Sequence, residues 1–184
     1  MEEADAFGAA LVRLGGLLAA WPHPAAVIGG VAIGARVLPR TTLDIDVVIA
    51  VPQGSERELR EHALRHGFLQ DPEQSDELLD AGLLRLHTPP SPQEGVGLDV
   101  ILVDSRFLEQ VVARASRVDL GLATLPVASV EDLLLLKLEA NRPQDIDDIL
   151  AIKDACAGFL DLAYVRAEAQ RLGVSDLLAL YFEP

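Results

Sequence analysis

The sequence predicts an α/β (α+β) fold: a mixed β-sheet flanked by helices, with a helical segment at its C-terminal end. Three observations predict it. Short apolar runs bounded by Gly and Pro recur along the chain, before Gly29-Gly30, at Val47–Val51, at Leu83–Leu86 and at Gly97–Val103, and read as strands. Segments with apolar residues at steps of three and four alternate with them. From Ser129 onward every periodic segment is helical, which predicts a core over 1–128 and a helical segment over 129–184 packed on it.

Composition sets the outer limits. At 184 residues the chain is one domain, or a domain with a helical extension, long enough for a real core. Half the residues are hydrophobic, which excludes general disorder. No run reaches the roughly 18 apolar residues of a membrane span, so no membrane partner is expected. The start, Met-Glu-Glu-Ala-Asp, is acidic where a secretory signal would be basic, and the expected location is the cytoplasm. The single cysteine, Cys156, sits among apolar helical residues and reads as a buried, inert thiol. A net charge of −14 argues against broad nonspecific binding to nucleic acid, while leaving room for a local basic cleft.

Taken in order, Phe7, Leu11, Leu14, Leu18 and Trp21 form the stripe of an amphipathic helix, ended by Pro22-His23-Pro24. An apolar run from Ala25 stops at Gly29-Gly30, a helix-competent segment spans Val31 to Leu38, and Pro39 breaks it. Ser55 with Glu58 gives a capping-box pattern for a helix that closes at Gly67; His62 and His66 on it read as a solvated face. Asp71–Asp80 is a turn-rich acidic connection or short helix. Leu83–Leu86 is a strand containing Arg85, followed by the loop Thr88–Pro92, and neither offers a motif. Gly97–Val103 is a strand with one acid, Asp99, which the residues alone leave open between a functional carboxylate and a strand-end acid paired with an arginine. Asp104 reads as the N-cap of a helix over Ser105–Ala115, and 116–128 as a turn and a short strand. Ser129 and Asp132 cap an almost wholly apolar helix whose Lys137 needs an anionic partner, a phosphate or a core carboxylate. Asn141-Arg142-Pro143 breaks it, and Asp145, Asp147 and Asp148 fall in the first turns of the next helix. Two further stripes follow, Leu162, Val165, Ala169, Leu172 and then Leu177, Leu178, Tyr181.

The chemistry lies between Ala25 and Val51. Side chains alternate along a strand, so Asp44 and Asp46 share one side with Val48 and Ala50. Two carboxylates stacked this way raise each other's pKa unless a cation sits between them. Such oxygen-rich sites suit Mg²⁺, which takes one or two carboxylates and fills its other positions with water and substrate phosphates. The glycine pair supplies the complementary half, because backbone can approach a ligand there and a helix start offers N–H groups to phosphate. Either part alone would read as an ordinary turn; the two together are more specific.

Gly29-Gly30, thirteen residues, then Asp44-Ile45-Asp46-Val47 resembles the signature of the DNA polymerase β-like nucleotidyltransferase superfamily. The fuller string, Gly29-Gly30-Val31-Ala32 through Arg40, Thr42, Asp44 and Asp46, is similar to its small bacterial branch, which includes abortive-infection-type toxin and antibiotic nucleotidyltransferases. The resemblance implies transfer of a nucleoside monophosphate (NMP) from an NTP to an acceptor hydroxyl with release of pyrophosphate. It implies two divalent ions, Mg²⁺ or Mn²⁺, on three carboxylates: Asp44, Asp46 and, at the matching place on a neighbouring strand, Asp99. Lys137-Leu138 through Ala140, Arg142, Asp145 and Asp148-Ile149 resembles the family's second motif region, which places Lys137 near the triphosphate and an acid at the far wall. Gln144 stands where a basic residue is common, and Gly30 where many relatives have a phosphate-binding serine. Gly29, Gly30, Arg40, Thr42, Arg142 and Asp145 are therefore the expected nucleotide-binding residues, and Arg36, a turn earlier, a weaker candidate that faces solvent. The acceptor stays open between tRNA or another RNA, a protein side chain and a small hydroxylated molecule, with a cognate antitoxin as a further partner. The competing reading is a catalytically inactive domain serving as an antitoxin or scaffold.

Overall fold

The computed structural model describes residues 2–72 and 74–182. The first half runs α1 (Glu2–Ala20), β1 (Ala25–Ile28), α2 (Gly29–Arg36), β2 (Asp44–Ile49), α3 (Glu56–Arg65), β3 (Leu69–Gln70), α4 (Asp76–Asp80), β4 (Leu83–His87) and β5 (Gly97–Leu102). The second continues with α5 (Arg106–Arg114), β6 (Ser116–Asp119), β7 (Thr124–Val127), α6 (Val130–Ala140), a 3₁₀ turn (Pro143–Asp145), α7 (Ile146–Cys156), α8 (Leu162–Leu172) and α9 (Ser175–Phe182). The strands form one mixed seven-stranded sheet in the order β3-β4-β5-β2-β1-β7-β6. β1 runs antiparallel to β2, while β2 with β5 and β1 with β7 are parallel. The predicted fold class is the one found.

Burial explains the central strands. All four residues of β1 are buried, and β2 is exposed at Asp44, half-buried at Asp46 and buried from Val47 to Ile49. An apolar strand whose first residues are acidic thus enters the sheet from a polar rim. In α1 the buried stripe is Ala10, Leu11, Leu14 and Leu17, continued by Trp21, with Phe7 and Leu18 at its margin. The indole N–H of Trp21 donates to the Ala50 carbonyl at 3.1 Å, tying the end of α1 to the end of β2.

The helical segment is held by a buried polar knot. Asp132 is wholly buried on α6. It accepts from Arg114 Nε at 3.1 Å, Ser129 Oγ at 2.7 Å and the Tyr164 hydroxyl at 2.6 Å, so one carboxylate joins α5, α6 and α8. Ser129 caps α6 as expected, accepting from the Asp132 N–H. Among the described residues no helix is long and apolar enough to cross a membrane.

Several local expectations are corrected. His62 is not on a solvated face: it is buried, Nε2 lies 3.1 Å from the Leu17 carbonyl, and its ring stands 5.4 Å from that of Trp21. An imidazole has an apolar body that packs and polar ends that a carbonyl satisfies, so polarity counting misplaces it. Ser55 makes no capping bond, because its backbone is not extended. Ser105, not Asp104, caps α5 by accepting from the Leu108 N–H at 3.3 Å. Residues 116–128 hold two strands rather than one, joined as an antiparallel hairpin whose second strand extends the sheet beside β1. Cys156 is half-buried rather than enclosed, and burial still pushes its thiol pKa up. Arg36 does not face solvent. Its guanidinium donates to the carbonyls of Val127 and Ala128 and to Ser116 Oγ, latching α2 to the hairpin.

Candidate active site

The register of the sheet assembles the acids. β2 and β5 are parallel neighbours, with Asp46 directly beside Asp99 and Asp44 beside Gly97. Laterally paired residues point to the same face, so Asp44, Asp46 and Asp99 share one. Asp44 is exposed, and the other two are half-buried. Burial raises the Asp46 pKa, the charges of Asp99 and Asp44 raise it further, and Lys137 and Arg142 pull it back. Burial likewise raises Asp99, Arg85 lowers it, and Asp44 and Asp71 add to the rise. Two carboxyls, Asp46 and Asp99, that burial and neighbouring negative charge push up mark a place where positive charge would be strongly stabilised.

The glycine pair meets this face from β1. The helix α2 begins at Gly29 itself, two residues earlier than the periodicity suggests, directly after β1. Gly29 has φ +61°, and a Cβ there would stand 1.9 Å from Asp46 Oδ2. The backbone therefore lies against the carboxylate with no room for a side chain. Gly30 is buried beneath Thr42, whose Oγ1 would stand 2.6 Å from an added Cβ. Thr42 in turn donates to the Asp44 carbonyl at 3.2 Å. Ile28, the N-cap of α2, makes no side-chain capping bond to the first-turn N–H groups. Gly29→Ala is expected to cost about 1–2 kcal/mol from the left-handed backbone alone. Because the methyl also displaces the Asp46 carboxylate, it should lower transfer activity more than stability. Chemical melts and initial rates measured side by side check this, and equal small losses would contradict it.

Behind the acids lies an ion cluster. Lys137 Nζ is 2.7 Å from Asp145 Oδ1 and 2.8 Å from Asp148 Oδ2. Arg142 forks onto Asp145 at 2.7 and 3.1 Å, and Arg40 pairs with Asp148. Asp145 is wholly buried and Asp148 nearly so, whereas Arg40 and Arg142 are half-exposed or more. The buried acids thus hold three cations in place, and Lys137 and Arg142 act on Asp46 through space. The anionic partner that Lys137 needs is a pair of core carboxylates. Asp145 gives both oxygens to Lys137 and Arg142.

Asp44 and Asp99 open onto a cleft of about 1120 Å³, lined also by Arg40, Thr42, Arg85 and Gly97, with Asp46 set back from its lining. Arg85 was not singled out by its sequence context. It stands directly opposite Asp99 on β4, Nε 3.5 Å from Oδ1. Asp148, a first-turn acid that also falls in the second motif region, is the second support of Lys137. No local signal marks Arg85, since it acts on Asp99, a partner on another strand.

Among the described residues no group of three or more His, Cys, Asp or Glu is drawn close enough to hold a metal ion as it stands. The donor set nevertheless fits a hard divalent cation. Asp44, Asp46 and Asp99 offer oxygen only, on one face, with mutual repulsion that such a cation would remove.

The mixed α/β fold is consistent with that of a nucleotidyltransferase. Residues 13–177 match the family described as nucleotidyl transferase AbiEii toxin, type IV toxin–antitoxin system, and the chain belongs to that family. It is accordingly a nucleotidyltransferase. Solved structures share the fold. JHP933 from Helicobacter pylori superposes with a TM-score of 0.58 at 13% identity, covering 98% of this chain and 78% of that one. An antigenic nucleotidyltransferase-like protein from Paracoccidioides brasiliensis gives 0.51 at 17%, covering 98% of both chains. ANT(2'')-Ia, in complex with adenylyl-2''-tobramycin, gives 0.56 at 15%, covering 90% of this chain and 97% of that one. No curated protein matches the sequence.

Proposed function

We propose that the protein is a metal-dependent toxin that moves an NMP from an NTP to a hydroxyl of a cellular RNA, tRNA foremost. The observation that carries this reading is the parallel register that sets Asp99 beside Asp46, with the Gly29 backbone against the same carboxylate. Asp44, Asp46 and Asp99 are the residues that would hold divalent ions, Mg²⁺ or Mn²⁺. Such ions, when bound, supply charge neutralisation for the triphosphate and for the leaving pyrophosphate.

The chain's own groups do the rest. The N–H groups opening α2 at Gly29 and Gly30 cradle phosphate, with Thr42 fixing the rim beside them. Lys137, Arg40 and Arg142, oriented by Asp145 and Asp148, offset its negative charge; in this reading Asp145 positions cations rather than touching nucleotide. The acceptor oxygen attacks the α-phosphorus in line. A new P–O bond forms as the bond to the β-phosphate oxygen breaks, and pyrophosphate departs. The acceptor proton leaves beside Asp99, which serves either as its base or as a ligand of the ion that acidifies the hydroxyl, the proton then passing to water. The acidic surface confines RNA to the cleft, where Arg40 and Arg85 are the cations present. A cognate antitoxin is the expected counterpart of such a toxin.

The test incubates the protein with each α-phosphate-labelled NTP and separated RNA, protein and metabolite fractions. Label is expected in the RNA fraction, and not when EDTA is present. Label in the protein or metabolite fraction overturns the acceptor. EDTA-resistant label overturns the metal dependence, and label in no fraction overturns the transfer itself.

A further inference from the structure

We propose that Arg85 is a resident counter-ion of Asp99, occupying the third carboxylate until a divalent cation displaces it, and so sets how tightly the site takes that cation. The proposal rests on the reading that Asp44, Asp46 and Asp99 bind divalent ions. β4 and β5 pair with Arg85 directly across from Asp99, on the side opposite β2, so the carboxylate stands between Asp46 and a guanidinium. The pairing is loose. Nε lies 3.5 Å from Oδ1, it is buried, and it makes no hydrogen bond. A structural Arg–carboxylate pair is normally a fork at about 2.7–2.9 Å, as Arg142 makes with Asp145.

Exposure decides what such a pair does. Arg85 is 42% and Asp99 35% exposed, and both line the cleft. An ion pair so open to water adds little to stability. Its charge still matters locally, because a cation a few ångströms from a carboxylate competes directly with any other cation for it. Arg85 thus tempers the repulsion among the three acids in the absence of metal, and it lowers their affinity for metal. The guanidinium is tethered by its own strand and needs only a side-chain rotation within the cleft to leave Asp99.

The experiment titrates Mn²⁺ into the full chain by calorimetry, with bound ion followed by electron paramagnetic resonance, so that the readout is binding rather than turnover. Arg85→Gln is expected to bind Mn²⁺ roughly two- to fivefold tighter than the natural protein, the factor that loss of one half-exposed ion pair supports. Arg85→Met carries the same expectation and keeps the apolar stem, should the Gln variant fold poorly. Arg85→Lys, which retains the charge, is expected to stay near the natural affinity. Unchanged or weaker binding by both neutral variants, with binding still lost in Asp46→Asn, overturns the role of Arg85 and leaves the cation site standing. Binding by Asp46→Asn at natural affinity, or none by the natural protein, overturns both.

Discussion

Asp46→Asn is expected to lower NMP transfer by at least about a thousandfold, roughly 4 kcal/mol of transition-state stabilisation, without lowering the melting temperature. Asp46 is the middle carboxylate of the three, beside Asp99 across the strand pair and two residues from Asp44 on its own strand. Asn preserves its shape against the Gly29 backbone, so the fold keeps its close approach there. It removes a half-buried charge whose pKa is already raised by burial and by its two acidic neighbours. In EDTA the variant should therefore melt at or above the natural protein, since less like charge is crowded on one face. Initial rates with labelled NTP and thermal melts in EDTA check the two halves. Activity within tenfold of the natural protein would remove Asp46 from the site, and a large drop in melting temperature would make it a structural acid.

Lys137→Met is expected to destabilise the fold by about 2–4 kcal/mol, a fall in melting temperature of roughly 5–15 °C. Nζ lies between two carboxylates, one wholly buried. Removing it leaves Asp145 to Arg142 alone and Asp148 to Arg40 alone. Burial by itself would raise the Asp145 pKa, but the hydrogen bonds from Arg142 and Lys137 outweigh it and hold the carboxyl below its ordinary value. A carboxylate depressed in the folded state adds stability above its unfolded pKa, near 4, and loses it as pH falls through the folded value. Lys137→Met should therefore also show a shallower loss of stability on acidification. Denaturant melts at pH 7 and at pH 3 measure both effects. A variant as stable as the natural protein at pH 7 would show that the two arginines suffice.

The elements of this protein were legible where one residue's neighbours in the chain are also its neighbours in space. The strand at Val47 and the helix break after Ala140 could be read directly, because Val, Ile, Gly and Pro act within a few residues of themselves. So could the apposition of glycine pair and acid pair, because a short helix separates them and brings both to one rim. The capping and burial errors have the same origin in reverse. Ser105 won the cap from Asp104 by one residue of backbone geometry, and His62 went inside because Leu17 and Trp21, over forty residues away, wait for it.

The order of residues alone determined a mixed sheet with helices, an acidic pair opening a buried strand and a glycine bend built for close approach. Which strands lie side by side was decided only in three dimensions. Hydrogen-bonded register puts Asp99 next to Asp46 and Arg85 next to Asp99, while packing of α6 against the 3₁₀ turn and α7 sets Asp145 and Asp148 against Lys137. Charge acts over a few ångströms of space and takes no account of separation along the chain, so these pairings, and with them the balance of the site, exist only once the sheet has closed.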